Sequence, residues 1–496
     1  MSAECLINKT NGGMKNIFFK YFKQLLSLIL FLSVISDLSF SQEKVELKFA
    51  KELSGKVIDG QEVREANGSV EFVQGNVKVY CNSATQFITA NRIELRGNVK
   101  IYQDTLSLFT ENANYFGNDK KAICEGGVTL KDPNATLRAD NGVYLFSDSK
   151  ALFKGNVIII NPDYKITADE ITYFRNNEDS FAKGNVIITT DSAVITADNI
   201  DFFKRQGKTF AYGKVKIESD STIIHSDTAT NFTGEKLSVA SGNVKIISQN
   251  NNAVITGKFL ENFEKENFTI VKGNARFTQI ENNKDTIRIY SDTMKAYRSK
   301  PEYYVAISNT EILRNNFLSK CGTGIYFRDS SKVSLSGNPV VWQDAIQMTG
   351  DSIYADFPGK KLQTIFVKKI ERFPDSKLSF VISGISDSIN QSGDTRYDQI
   401  SGNDVTLYFK NEKINLIEVN RNSRSFYFLF DKGRPDGINK SEGDKIKIFF
   451  GEDDKVSRIK VDNKPKGEYI PENLLNTTPL TLPGFNLRND KPVIKE

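Results

Sequence analysis

A glycine-centred pattern returns along most of this chain, and it limits the possible fold more than any other feature. Gly75-Asn76-Val77, Gly97-Asn98-Val99, Gly155-Asn156-Val157, Gly184-Asn185-Val186, Gly213-Lys214-Val215 and Gly242-Asn243-Val244 carry it. Gly127-Val128 and Gly273-Asn274-Ala275 are variants. From Gly155 to Gly242 each step is 29 residues, and the column Asp140, Asp169, Asp198, Asp227 advances by the same 29. A unit that short cannot bury its own apolar face, whereas stacked units share one continuous core.

Each unit has a local physical reading. Glycine has no Cβ clash and Asn tolerates the left-handed region, so Gly-Asn predicts a tight turn. The residues after it alternate with period two, as do Ile166-Thr167-Ala168-Asp169 and Ile195-Thr196-Ala197-Asp198. These runs predict about three short strands per unit and a nearly all-β chain. The apolar columns nominate an interior. After the glycines come Val157, Val186 and Val215, then Ile159, Ile188 and Ile217. Ile166 and Ile195 precede the Ala-Asp pairs; Ile171 and Ile200, then Tyr173 and Phe202, follow them. Phe181 and Phe210 stand three residues before a glycine. All fourteen are candidates to line an apolar β-groove.

Composition narrows the chemistry. The 496 residues include 35 Phe and 18 Tyr but one His, one Trp and four Cys. One histidine leaves little room for a proton shuttle or an imidazole metal site. His225 shares the register of Thr167 and Thr196, facing away from the apolar columns, and is expected on the surface. The charge of +5, from 66 basic against 61 acidic residues, is too even for a nucleic-acid binder. No phosphate loop, dinucleotide fingerprint, HExxH or GxSxG occurs. No catalytic residue, cofactor or metal is therefore assigned. The Asp column is read as hydrogen-bond acceptors at turns rather than calcium ligands. Cys124 is expected in the core and Cys81 exposed.

The N-terminal stretch reads as an address. Lys15, Lys20 and Lys23 precede the apolar run Leu25–Ile35, too short for a spanning helix of about 20 residues. Cleavage is predicted after Ser41, with Met1 or Met14 as the start. The predicted organisation is residues 1–41 as extension and signal peptide, 42–300 as β repeats and 301–462 as a diverged β block. Residues 463–496, holding Pro465, Pro471, Pro479, Pro483 and Pro492, are expected to form an irregular tail or cap.

The Gly-Asn-Val turns and the strands Ile166–Phe174 and Ile195–Phe203 resemble those of the OstA-like family. These are the periplasmic lipopolysaccharide-transport proteins: the bridge protein LptA and the periplasmic domain of LptD. The resemblance is close over 64–300 and weak over 301–462. It implies an elongated, twisted antiparallel β-jellyroll of stacked units, with lipid A acyl chains inside. It implies no enzyme activity. The implied partners are lipopolysaccharide, other Lpt jellyrolls at the inner and outer membranes, and a second copy head to tail; nucleic acid is not among them. The implied location is the periplasm, reached by export, with association to the outer membrane also open. The residues alone would equally permit a parallel β-helix, so a β-helix enzyme acting on polysaccharide and a structural or adhesive surface protein stand as alternatives. Burial of about 0.8 kcal/mol per methylene gives a chain of a dozen carbons on the order of 10 kcal/mol in a dry groove.

Overall fold

The computed structural model describes residues 43–493, apart from 59, 251, 282–284, 373, 390–394, 433, 453–454 and 478. The expected signal peptide and its cleavage site lie outside these residues. The described chain is almost entirely strand, in two compact units. One runs to Pro133 and adds Val143–Asp148; the other comprises Asn134–Gly142 and the chain from Ser149 onward.

In the first unit, Gln61–Gln74, Val77–Phe87, Arg92–Gln103, Leu106–Phe116 and Lys121–Lys131 pair antiparallel in sequence order. The short strands Glu46–Phe49 and Glu52–Ile58 both lie against the first of them. The interior is closed. Phe72, Ile93, Ile101 and Tyr115 have no accessible surface. The buried Tyr115 hydroxyl donates to Gln74 Oε1 at 2.6 Å. Cys81, expected outside, is buried opposite Val70, because the alternation that buries Val77 and Val79 continues through it. Burial pushes its thiol up to about 11.

In the second unit the meander continues through Lys150–Ile160, Tyr164–Phe174, Asp179–Thr190, Val194–Phe203, Lys208–Glu218, Thr222–Phe232, Leu237–Ser248, Ala253–Phe263, Phe268–Glu281 and Asp285–Tyr297. Every one of these pairings is antiparallel, which excludes a parallel β-helix. A 29-residue unit is thus two strands of 10–12 residues, not three short ones. The Gly-Asn pair explains the difference. Gly75 does lie in a turn between strands, but Gly155, Gly184, Gly213 and Gly242 lie within strands, where the ladder register shifts. Gly155 has φ 78° and Asn156 φ 46°. Two successive left-handed residues make a β-bulge, which bends the strand and keeps its apolar side on the concave face of both halves. Each strand therefore has two arms joined at a corner.

The Asp column belongs to these corners. Asn156 Nδ2 donates to Asp140 Oδ2 at 2.9 Å and Asn185 Nδ2 to Asp169 Oδ2 at 2.9 Å. Asn243 and Asp227, and Asn309 and Asp292, repeat the bond. The carboxylate also explains the glycine. A Cβ on Gly155 would stand 2.5 Å from Asp140 Oδ2, and one on Gly213 at 2.5 Å from Asp198 Oδ2.

Beyond Arg314 the corners sharpen until the strands break. Phe317–Phe327 pairs through one half with Lys332–Ser336 and through the other with Val340–Gln343, and Gly337-Asn338 lies at the gap. The last residues are irregular after a 3₁₀ turn at Glu472–Thr477, but they are anchored. Gln399 Nε2 donates to the Leu480 carbonyl at 2.8 Å, and Leu482 N donates back to Gln399 Oε1 at 2.7 Å. Gln347 holds the carbonyl and amide of Arg488 in the same way, at 2.7 and 2.8 Å. Leu480 and Leu482 pack on the apolar cluster of Phe426, Phe428 and Ile438. The tail is thus a strap laid on an apolar stripe outside the main core.

Candidate functional site

The concave face of the second unit carries parallel rows of side chains, one residue per strand. On the first arm an unbroken line crosses the sheet: Ile159, Ile166, Ile188, Ile195, Ile217, Ile224, Ile246 and Ile255, each directly opposite the next. Phe277 and Ile289 complete it. On the second arm, nearest the corner, the facing row runs Phe153, Ile171, Ala182, Ile200, Ala211, Ala229, Ala240, Leu260, Val271.

Accessibility divides the isoleucine row. Ile159 and Ile166 are 3% exposed and Ile188 7%. Ile195, Ile217, Ile224, Ile246 and Ile255 are only half-buried, and beyond them Phe277 is closed again at 0%. The cause is visible in the other row. Where the interior is closed, Phe153 and Ile171 fill most of it, with Ala182 beside them. In the middle of the open stretch three successive strands carry Ala211, Ala229 and Ala240 in the same places and leave space, between Ile200 and Leu260 at its two edges. Single methyl groups do not reach across, so the isoleucines keep contact with solvent.

Rings drawn from both arms mark the two ends of this open stretch. Tyr164, at the tip of the first arm, meets Phe202, at the tip of the second, edge-on at 5.6 Å. Phe277 and Tyr304 meet at 4.5 Å. Between these closures the groove passes four strands, Lys208–Glu218 to Ala253–Phe263. At the usual strand spacing of about 4.8 Å, five inter-strand steps give a length of about 24 Å.

The sequence-derived candidates fall into three groups. Val157, Ile159, Ile166, Ile171, Tyr173, Val186, Ile188, Ile200 and Val215 face the interior and are buried. Ile195, Phe202 and Ile217 face it and are accessible. Phe181 and Phe210 are corrections, because they lie on the outer face. Phe181 packs against Phe174 at 5.7 Å and Phe203 at 5.6 Å, and Phe210 stacks on Tyr212 at 5.2 Å. Their position, three before the glycine, has the outward parity; the inward residue is two before it, at Ala182 and Ala211. Cys124 is buried at 1% because its bulge glycines are Gly126 and Gly127, which puts Cys124 two before the first of them, at the inward position of Ala182 and Ala211. Ile224, Ile246, Ile255 and the alanine row were missed. They continue the same 29-residue columns, so the signal was present; small residues simply attract no notice as lining. His225 lies on the outer face between Lys216 and Lys245, as its register implies.

Two family models match the chain. Residues 42–141 match the OstA-like protein model, and residues 165–288 match the LPS transport protein model covering LptA and the LptD N-terminal domain. A search of curated proteins gives no match. Among solved structures the chain is similar to LptH, the LptA homologous periplasmic component of the lipopolysaccharide transport device from Pseudomonas aeruginosa. Identity is 15% over 29% of this chain and 82% of that one, with a TM-score of 0.18. That score has no bearing on the fold, which rests on the strand pairing above. The second match spans the Gly184, Gly213 and Gly242 corners and the whole open groove, so both matched segments are similar to OstA-like lipopolysaccharide-transport proteins.

Proposed function

We propose that the chain is a non-catalytic periplasmic carrier that holds acyl chains of lipopolysaccharide in this groove and passes them toward the outer-membrane machinery. The observation that carries the reading is the half-buried isoleucine row, facing three successive alanines at its middle and closed at both ends by aromatic pairs. An aqueous slot lined with branched aliphatics is unfavourable when empty and gains about 25 cal/mol for each Å² that a chain covers. Export is supported by the predicted cut after Ser41, immediately before the first family match at residue 42. Docking to neighbouring jellyrolls is supported by Glu52–Ile58. This strand pairs with Gln61–Asn67 and carries Leu53 and Val57 56% and 67% exposed. Such an edge offers backbone hydrogen bonds to a further strand.

The test is photo-crosslinking. Benzophenone residues at Ile224 and Ile246 should capture lipopolysaccharide, and one at the outward, exposed Lys245 should not. Labelling from Lys245 alone, or from none of the three, overturns the proposal.

A further inference from the structure

The outermost inward row of the second arm changes chemistry along the sheet. Over the closed stretch it carries Ala151, Tyr173, one buried hydroxyl at Ser180, and then Phe202. Along the open groove it becomes Thr209, Asn231, Ser238, Asn262 and Thr269, one per strand, before returning to Ala296. Hydroxyls and amides on a concave face cost stability unless they are matched, and four of these five are matched in pairs. Ser238 Oγ donates to Asn231 Oδ1 at 3.0 Å, and the buried Thr269 hydroxyl to Asn262 Oδ1 at 2.8 Å. The groove is therefore apolar on the isoleucine arm and polar along the opposite rim.

Arg298 completes this rim. It follows the strand Asp285–Tyr297 with inward parity, and its Nη1 donates to Asn262 Oδ1 at 2.8 Å and to Thr269 Oγ1 at 2.7 Å. Both acceptors are neutral. Among the described residues Arg298 makes no ion pair; Glu264 acts on it only through space. One nitrogen thus anchors the guanidinium, and Nε and Nη2 donate to no described residue, which leaves a charged donor edge at the groove mouth. Such an edge fits two oxygens of a phosphate, and the Asn262 amide NH2 suits a further oxygen, while Thr269, whose hydroxyl proton goes to Asn262 Oδ1, holds Arg298 and Asn262 in place.

We propose that Arg298, Asn262 and Thr269 form a subsite for a phosphate monoester on the head of the amphiphile whose chains fill the groove. This rests on the carrier reading above. The apolar arm takes the tails, and the polar rim, ending at the Phe277–Tyr304 closure, fixes where the head stands.

The test uses the full chain with hexa-acylated lipid A carrying two, one or no phosphates, and inorganic phosphate as a competitor. Phosphorylated lipid A should bind about tenfold tighter than the dephosphorylated form, as one charge-assisted bidentate contact allows. Rising salt should shrink that preference. Arg298→Gln should bring the phosphorylated form down to the level of the dephosphorylated one, and Arg298→Lys should restore part of the difference. Arg298 is solvent-exposed, so both variants keep the strand pairing. A preference that survives Arg298→Gln overturns the subsite. So does displacement of lipid A by millimolar inorganic phosphate, which assigns the rim to a free anion. Equal binding of all three lipids, with capture from Ile224 intact, removes the subsite and leaves the carrier; no binding of any lipid removes both.

Discussion

Ile166 and Ile224 occupy the same row and the same place in their units, and they differ only in what faces them. Truncating each to alanine therefore measures whether the groove is open. Ile→Ala removes three carbons, about 2.4 kcal/mol of transfer free energy if fully buried. Ile166 is 3% exposed, so the cavity left behind adds to that, and Ile166→Ala should cost about 3–4 kcal/mol. Ile224 is half-buried and borders space already open, so Ile224→Ala loses about half the transfer term and makes no closed cavity, about 1 kcal/mol. The expected gap is about 2–3 kcal/mol. A stacked chain of this length need not unfold in one step, so the assay is native-state hydrogen exchange on the strands flanking each site, read as local opening free energies. Saturating lipopolysaccharide should raise the cost at Ile224 and leave that at Ile166 unchanged. Equal costs without lipid would refute the open groove.

The corner glycines make a second prediction. Gly184 has φ 76° and lies under the Asp169 carboxylate, so Gly184→Ala should cost about 2–3 kcal/mol, from left-handed strain and the displaced Asp169–Asn185 hydrogen bond. Asp169→Ala alone should cost about 1 kcal/mol, and the double variant no more than Gly184→Ala; strict additivity in the same exchange assay would show that the two residues do not share the corner. A third concerns pH. Burial pushes the Asp398 carboxyl up to about 7, against the opposing pull of the Phe428 amide, which donates to it at 2.9 Å. The folded form thus keeps its proton, so this contribution to stability is whole below about pH 4 and is lost as pH rises through about 7. Asp398→Asn should flatten that decline in thermal unfolding between pH 4 and 8; an unchanged slope would clear Asp398 of the effect.

Much of the architecture is written in local chemistry. Period-two alternation sets which side chains share a face, so the inward columns from Val157 to Ile217 could be read without coordinates, as could the outward His225. The Gly-Asn recurrence marks many of the corners, such as those at Gly155, Gly184 and Gly242, although a pair of left-handed residues serves a hairpin turn and an in-strand bulge equally well. Only the pairing partner separates the two, and that ambiguity produced three strands where there are two. The same one-residue ambiguity placed Phe181 and Phe210 inward, because parity reverses when counted from the wrong side of a bulge. Cys81 was misplaced because its strand runs on past the Val-x-Val stretch.

Sequence alone determined that this is a repeating, nearly all-β chain with an apolar face and almost no catalytic side chains, because alternation and glycine spacing are properties of neighbours along the chain. Tertiary structure decided whether the two arms meet. Isoleucine recurs with the same spacing in the closed and the open stretches; what differs is whether large residues such as Phe153 and Ile171 or the run Ala211, Ala229, Ala240 stand opposite, and which rings bridge the arms at Tyr164–Phe202 and Phe277–Tyr304. Residues far apart in sequence set that distance, as they set the position of the strap held by Gln347 and Gln399. Local periodicity fixes the direction a side chain points, and packing across the fold fixes how far it is to the other side.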